Sequence, residues 1–299
     1  MFINRCQAVS PLLYQSNFAF ATKSLKLIKI RMKAVESIKK ITKAMKMVAA
    51  SKMKQDVGRL ERAKTFGVGS IAKVLANETY LHKKKTPVTV KKTMLVPITT
   101  DKGLCGGTNS NIVREVKSMV QPDRAAYKVF VVGDKGSVAL ARPLPDVMEF
   151  AVTNVTNPMN FPTAAAIANQ VLNNAQDCER ITLIYNEFKN VISQVQRKAD
   201  LMTRNEFLNT FKYIVKHDPE ESEIGPTSQF FYEFYIASAL YHALLNNIAS
   251  EQSARMNAME NASKNAGEIL DALTLDYNKA RQAKITMELC EIISGASAV

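Results

Sequence analysis

Two glycine-bearing turns are the first places to look for chemistry. Asp101-Lys-Gly-Leu-Cys-Gly-Gly107 has three glycines whose amides can cradle an anion, and Gly133-Asp-Lys-Gly-Ser137 sets a lysine and a serine among glycines. Neither matches GxxxxGK[ST]: the second is too short, and no GxGxxG follows a strand-like run. Asp101–Gly107 reads better as a tight strand-to-helix turn. His82, His217 and His242 lie far apart, and neither HExxH nor paired Cys/His spacing suggests a metal. Cys6, Cys105, Cys178 and Cys290 form no CxxC pair and no disulfide framework. Cys105 has no histidine near it in sequence, so it reads as a structural thiol. No catalytic constellation emerges, and neither cofactor nor metal is expected.

Charge is the other chemical signal. The net charge is +13, and residues 23–64 alone hold 14 Lys/Arg against 3 Asp/Glu. Residues 227–299 hold 5 against 8. A basic segment suggests nucleic acid, but 23–64 contains no aromatic residue for base stacking. An acidic protein partner or a solvated helix face fits better. The first 22 residues contain Arg5 and no acid, with Ser, Phe, Leu and Ala mixed in, as in an organelle presequence. No apolar run approaches the ~20 residues of a membrane span.

Proline placement divides the chain. Nine of ten prolines fall between 87 and 226, leaving 12–86 and 227–299 free of them. Proline costs ~3 kcal/mol inside a helix, so the ends are helix-permissive. In the first, Ile28, Met32, Val35, Ile38, Ile41, Met45 and Val48 form one stripe at steps of 3 or 4. In the last, Met259, Ala262, Ala266, Ile269, Leu273, Tyr277, Ala280, Ala283 and Met287 have the 3.5-residue coiled-coil period. A basic and a mildly acidic helix suit each other, and a compact middle that returns the chain makes the pairing antiparallel. Two unrelated bundle helices and a homodimeric coiled coil share the pattern.

The middle alternates strand and helix. Strands are expected at Met94–Thr99, Lys128–Val132, Phe150–Val155 and Ile181–Phe188, with Val191–Val195 pairing to the last. Pro97 suggests a bulge or an edge, and Gly133–Gly136 a turn. Helices are expected at 109–120 and from Pro162 to Ala175, and an exposed polar connection at 200–226. The fold class is α/β: a long antiparallel coiled coil of terminal helices around a central Rossmann-like domain with a mostly parallel sheet. The expected divisions are a presequence (1–22), an N-terminal helix (23–80), a central α/β domain (87–215) and a C-terminal helix (227–299).

Four ordered motifs then carry a resemblance. Ile41-Thr-Lys-Ala-Met-Lys-Met-Val-Ala-Ala-Ser-Lys52, the Asp101–Gly107 turn, Ser250–Ala262 and Leu275–Leu289 resemble the gamma subunits of F-type ATP synthases, and the chain ends in a similar way. The resemblance runs from about residue 25 to 299. Lys102 stands where that family usually has Arg, and Glu36 and Ser37 where Lys and Asn are common. No paired-cysteine insertion appears around 190–210, which favours the mitochondrial type over the chloroplast type.

The resemblance implies a non-catalytic rotor shaft, peripheral on the matrix side of the mitochondrial inner membrane. Its implied partners are the alpha and beta subunits of the F1 ring, the delta and epsilon central-stalk subunits, and the c-ring. By motif position, Met45, Lys43, Lys46, Glu251, Arg255, Arg281 and Gln282 match contacts with beta-subunit loops. Ile292, Ile293, Ala296, Ala298 and Val299 match an uncharged apical bearing. Asp101, Gly103, Cys105, Gly106 and Gly107 match a structural turn. From spacing alone, Glu251 and Arg255 read instead as an i,i+4 pair on a solvated face, and Gln282 as plain surface. A basic coiled-coil nucleic-acid binder and a Rossmann-like enzyme built on 90–200 are the competing functions.

Overall fold

The computed structural model describes residues 25–64, 92–155, 158–205, 207 and 224–297, with side chains of the last segment from Ser228. The expected presequence, residues 65–80, most of the 200–226 connection, and Ala298 and Val299 lie outside the described residues. Helix α1 spans Leu25–Lys64 and α5 spans Ile224–Ser297. Between them come β1 (Thr93–Pro97), α2 (Thr108–Val120), β2 (Tyr127–Val132), α3 (Asp134–Ala141), β3 (Met148–Val152), α4 (Phe161–Asn174), β4 (Arg180–Phe188) and β5 (Gln194–Leu201). The chain divides into two compact units. One takes residues up to Met45 with Met259 onward; the other is Lys46–Ala258. The division cuts both long helices rather than falling at their ends.

In the Lys46–Ala258 unit the sheet order is β3-β2-β1-β4-β5. β1 pairs in parallel with β2 and β4, β2 with β3, and β5 closes antiparallel on β4. The chain walks outward from β1 to β3 and then returns to the far side of β1, the doubly wound arrangement. Alternate strand residues feed two cores. Leu95, Val129, Val131 and Ile184 pack with α2 and α3 through Ile112, Val116, Val120 and Leu140. Met94, Val96, Phe130 and Leu183 pack with α4 through Ile167 and Val171, with Leu60 of α1, and with Ile236, Leu240 and Leu244 of α5.

Three local expectations change. Pro97 makes neither bulge nor edge, because β1 is central. Its ladder to β2 covers Thr93–Leu95 and resumes at Ile98 without a register shift, as the missing proline N–H requires. The Gly133–Gly136 turn is the start of a helix, α3. The strand expected at Val191–Val195 begins at Gln194, because Asn190 builds the turn: its Oδ1 accepts from the amides of Ile192 and Ser193 (3.0 and 2.6 Å).

The other unit is the helical pair. On α1 the least exposed positions are Ile28, Met32, Val35, Thr42 and Met45, continued in the sheet unit by Ala49, Met53, Asp56, Leu60 and Ala63. That series keeps the 3.5-residue period and shares Ile28, Met32, Val35 and Met45 with the expected stripe, but not the rest of it. Ile38, Ile41 and Val48 point outward, 51%, 58% and 56% exposed. On α5 the seam is Met259, Ala262, Ala266, Leu270, Leu273, Tyr277 and Ala280. Ile269, expected inside, is exposed, and so are Ala283 and Met287. Lys39 lies against Gly267, where a Cβ would stand 3.3 Å from its Nζ. In the sheet unit Asp56 bears on the charge of Glu251, and Lys64 on that of His242. Going up α1 from Asp56 to Lys64 thus corresponds to going down α5 from Glu251 to His242, so the helices run antiparallel.

Candidate functional site

The carboxyl ends of β1, β2 and β3 are where a doubly wound sheet ordinarily takes a ligand. Here the chain's own side chains fill that edge. The Asp101 carboxylate accepts from the amides of Asp134 (2.9 Å), Asn154 (3.2 Å) and Val155 (3.0 Å), tying three strand ends together. The first of these amides is at the α3 N-terminus, where an external phosphate would compete for the same donors. Thr99 Oγ1 donates to the Val132 carbonyl (2.9 Å) and accepts from the Gly136 amide (3.0 Å). That close approach demands glycine: at Gly133, φ +105°, a Cβ would lie 2.5 Å from the Thr99 carbonyl oxygen. In the Asp101–Gly107 turn, Leu104 and Gly106 take positive φ, and Gly107 leads into α2. Cys105 is buried, its Sγ 3.3 Å from Asn109 Nδ2.

A cavity of about 390 Å³ remains beneath α1 and α5, lined by Lys52, Asp56, Arg59, Asp101, Glu251 and Arg255 among others. Its charges are largely consumed internally. Arg255 is buried; it reaches Glu251 at 2.6 Å, Gln252 Oε1 at 3.0 Å and the Gly103 carbonyl at 3.2 Å. Burial pushes the Glu251 carboxyl above its ordinary range, against the pull of Arg255, and Asp101 and Asp56 push it the same way. Burial likewise raises Asp56, against Arg59 and Lys52. Burial lowers His242, which favours the neutral ring. Among the described residues no Cys/His/Asp/Glu group has metal-site geometry. The arrangement is a structural joint.

The sequence-expected site residues fall in separate places. Glu251, Arg255 and the Asp101–Gly107 turn come together at this joint. Met45 is half-buried and Lys43 exposed on α1; Arg281 and Gln282 are exposed on α5. Counting from the Lys39–Gly267 pair, Arg281 lies about 30 Å along α5 from the level of Met45. Ile292, Ile293 and Ala296 are exposed, as is every described residue from Arg281 onward.

Sequence reasoning put Ile38, Ile41 and Val48 into the buried stripe and missed Leu27 and Ile30; together the five form an outward apolar stripe on α1, all more than 40% exposed. Its signal was present as a second 3.5-spaced series, offset from the first. Lysines flank it. Apolar stripes of this kind mark protein contact surfaces, whereas a nucleic-acid surface would be polar and basic throughout. Among the described residues no helix is long and apolar enough to cross a membrane.

The family model described as ATP synthase matches residues 24–299. The mitochondrial ATP synthase subunit gamma of Drosophila melanogaster is 37% identical over 306 residues, covering 100% of both chains. The mitochondrial F(1) complex subunit gamma of Rattus norvegicus is 35% identical over 92% of this chain and 99% of its own. A chain in the Tetrahymena thermophila mitochondrial ATP synthase central stalk/c-ring structure is 53% identical, with TM-score 0.68 over 75% of this chain and 99% of its own. A chain from the Euglena gracilis enzyme, at 24% identity and TM-score 0.77 over 92% of this chain and 94% of its own, supports the fold. A doubly wound sheet plugged by its own carboxylate, carried with an antiparallel helical pair, therefore comes with full-length likeness: the chain belongs to the ATP synthase gamma subunit family.

Proposed function

We propose that this chain is the central rotor shaft of a mitochondrial F1Fo ATP synthase, and that it performs no bond chemistry itself. The observation that carries the reading is the apolar surface left open on both long helices. On α1 it is the Ile38/Ile41/Val48 stripe; on α5 it is Ile285, Leu289, Ile292 and Ile293, exposed on a stretch with no helix beside it among the described residues. Such surfaces suit enclosure by a surrounding protein ring. An antiparallel pair of unequal reach also presents a different face in each direction. As proton flow turns the c-ring and the shaft, each beta subunit meets these faces in turn. Its nucleotide site then cycles through binding, synthesis and release, because differential contacts shift its conformational equilibrium.

In this reading the alpha and beta subunits surround the helices. The sheet unit is the foot, held with the delta and epsilon subunits on the c-ring, on the matrix side of the inner membrane. Met45, Lys43, Lys46, Arg281 and Gln282 grip beta-subunit loops. Glu251 and Arg255 serve the same coupling from inside the foot, by holding the Asp101–Gly107 turn. Ile292, Ile293, Ala296, Ala298 and Val299 form the bearing. Residues 1–22 are the presequence; the family match beginning at residue 24 supports that division.

The test is Gln282→Cys in a Cys290→Ser background, assembled with the catalytic ring and oxidised against a cysteine in beta. Hydrolysis should stop on crosslinking and resume on reduction. Undiminished hydrolysis with the crosslink formed would contradict rotation against beta. Failure to copurify with an ATPase hexamer, with salt-sensitive nucleic-acid retention instead, would favour the nucleic-acid reading.

A further inference from the structure

Over Asn247–Asn257, α5 meets the sheet unit through directed hydrogen bonds. Asn247, Ser250, Ser253 and Asn257, at steps of 3, 3 and 4, lie on one face of the helix, and all four bond to β1, β4 or the loops that follow them. Asn247 accepts from Asn186 Nδ2 (3.3 Å) and donates to the Thr99 carbonyl (3.5 Å). Ser250 donates to the Asn186 carbonyl (3.1 Å). Ser253 and Asn257 both donate to the Val191 carbonyl, at 2.7 and 3.0 Å, in the β4–β5 turn. Asn247, Ser250 and Ser253 are buried.

The mechanics of such a face differ from those of an apolar seam. Apolar ridges in grooves tolerate scatter in angle and register. Hydrogen bonds to fixed carbonyls weaken steeply with misalignment, and a buried carbonyl left without its donor is costly. A small rotation or slide of α5 would break several bonds at once. The Val191 carbonyl, held from two successive turns of the helix, resists motion in both senses.

We infer that Asn247, Ser250, Ser253 and Asn257 form a torsional key: positioning residues that hold α5 in one rotational setting against β4 and the β4–β5 turn. Torque delivered to the sheet unit then turns the helix without slip. The inference rests on the rotor reading above. It assigns to the foot a function apart from contacts with the ring, since none of the four needs to touch another subunit.

The test uses the full chain in assembled, membrane-bound complexes, with Ser250→Ala/Ser253→Ala/Asn257→Ala and with Asn257→Ala alone as a variant that disturbs no buried group. ATP hydrolysis and ATP-driven proton pumping are followed together. Hydrolysis should stay near wild type, while protons pumped per ATP fall by about twofold or more in the triple variant, with a smaller fall in the single one. Ser253→Thr, which keeps the hydroxyl, should pump at the wild-type ratio. An unchanged ratio in assembled variants overturns the key, as does a parallel loss of hydrolysis and pumping, which is the mark of a merely structural role. If the triple variant does not assemble, an unchanged ratio in Asn257→Ala overturns it. Failure of the wild-type chain to copurify with an ATPase hexamer removes the rotor reading instead.

Discussion

Replacing Arg255 by methionine, with Glu251 left in place, should destabilise the chain strongly and in a pH-dependent way. Methionine keeps much of the aliphatic volume but gives no donor to Glu251, Gln252 or the Gly103 carbonyl. The side chains of Arg255 and Glu251 are only 10% and 13% exposed, so water does not replace the lost cation. Breaking a buried pair from one side costs ~3–5 kcal/mol, and most of that is the stranded charge. Burial holds the Glu251 carboxyl high even beside Arg255, and the variant holds it higher. The folded chain then retains a proton that the unfolded chain has released. Stability falls as pH rises through that range and recovers below it. Urea unfolding of the full chain between about pH 5 and pH 8 should therefore show a deficit that is largest at the alkaline end and shrinks in acid. Arg255→Met/Glu251→Met should recover most of the loss, because an apolar pair of similar size carries no desolvation penalty. A deficit below ~1 kcal/mol at neutral pH, the range of a surface pair, or one that does not change with pH, would refute the reasoning.

Four further outcomes are expected. Gly133→Ala forces a Cβ to 2.5 Å from the Thr99 carbonyl at φ +105°; a loss of ~3 kcal/mol or more should appear as poor yield or a lowered thermal midpoint, and a wild-type midpoint would contradict it. Gly267→Ala meets only the flexible end of Lys39, at 3.3 Å; thermal unfolding should show a gain of ~0.5–1 kcal/mol from helix propensity, and a loss would mean that Lys39 cannot yield. Ile41→Gln, at a position 58% exposed, should change stability by less than ~0.5 kcal/mol while weakening retention of the catalytic ring in pull-down; unaltered retention would remove the outer stripe from the interface. Met45→Lys should impair proton-driven ATP synthesis more than folding, and unchanged synthesis would count against Met45 as a contact.

Much of the sheet unit was readable because its signals are local. Apolar runs set between turns gave the strands, Pro162 gave the start of α4, and missing motifs excluded a phosphate loop. Pro97 and α3 were misread for a shared reason. Whether a strand is central depends on neighbours distant in sequence, and α3 starts at a glycine whose conformation is set by Thr99 on another strand.

By itself the sequence determined that both ends are long helices with an apolar stripe, at the 3.5-residue period in the last, that the middle is α/β, and that positive charge gathers near the N-terminus. These follow from residue type and spacing along one element. Tertiary structure decided which of two offset stripes on α1 is buried, since a helix apolar on two sides satisfies the period either way. It also decided that Leu270, not Ile269, joins the seam, because only the partner helix fixes the rotation of α5. And it turned Glu251 and Arg255 from a spacing on a helix surface into a buried joint. The Gly103 carbonyl that accepts from Arg255 lies 152 residues away, and no local pattern encodes that approach.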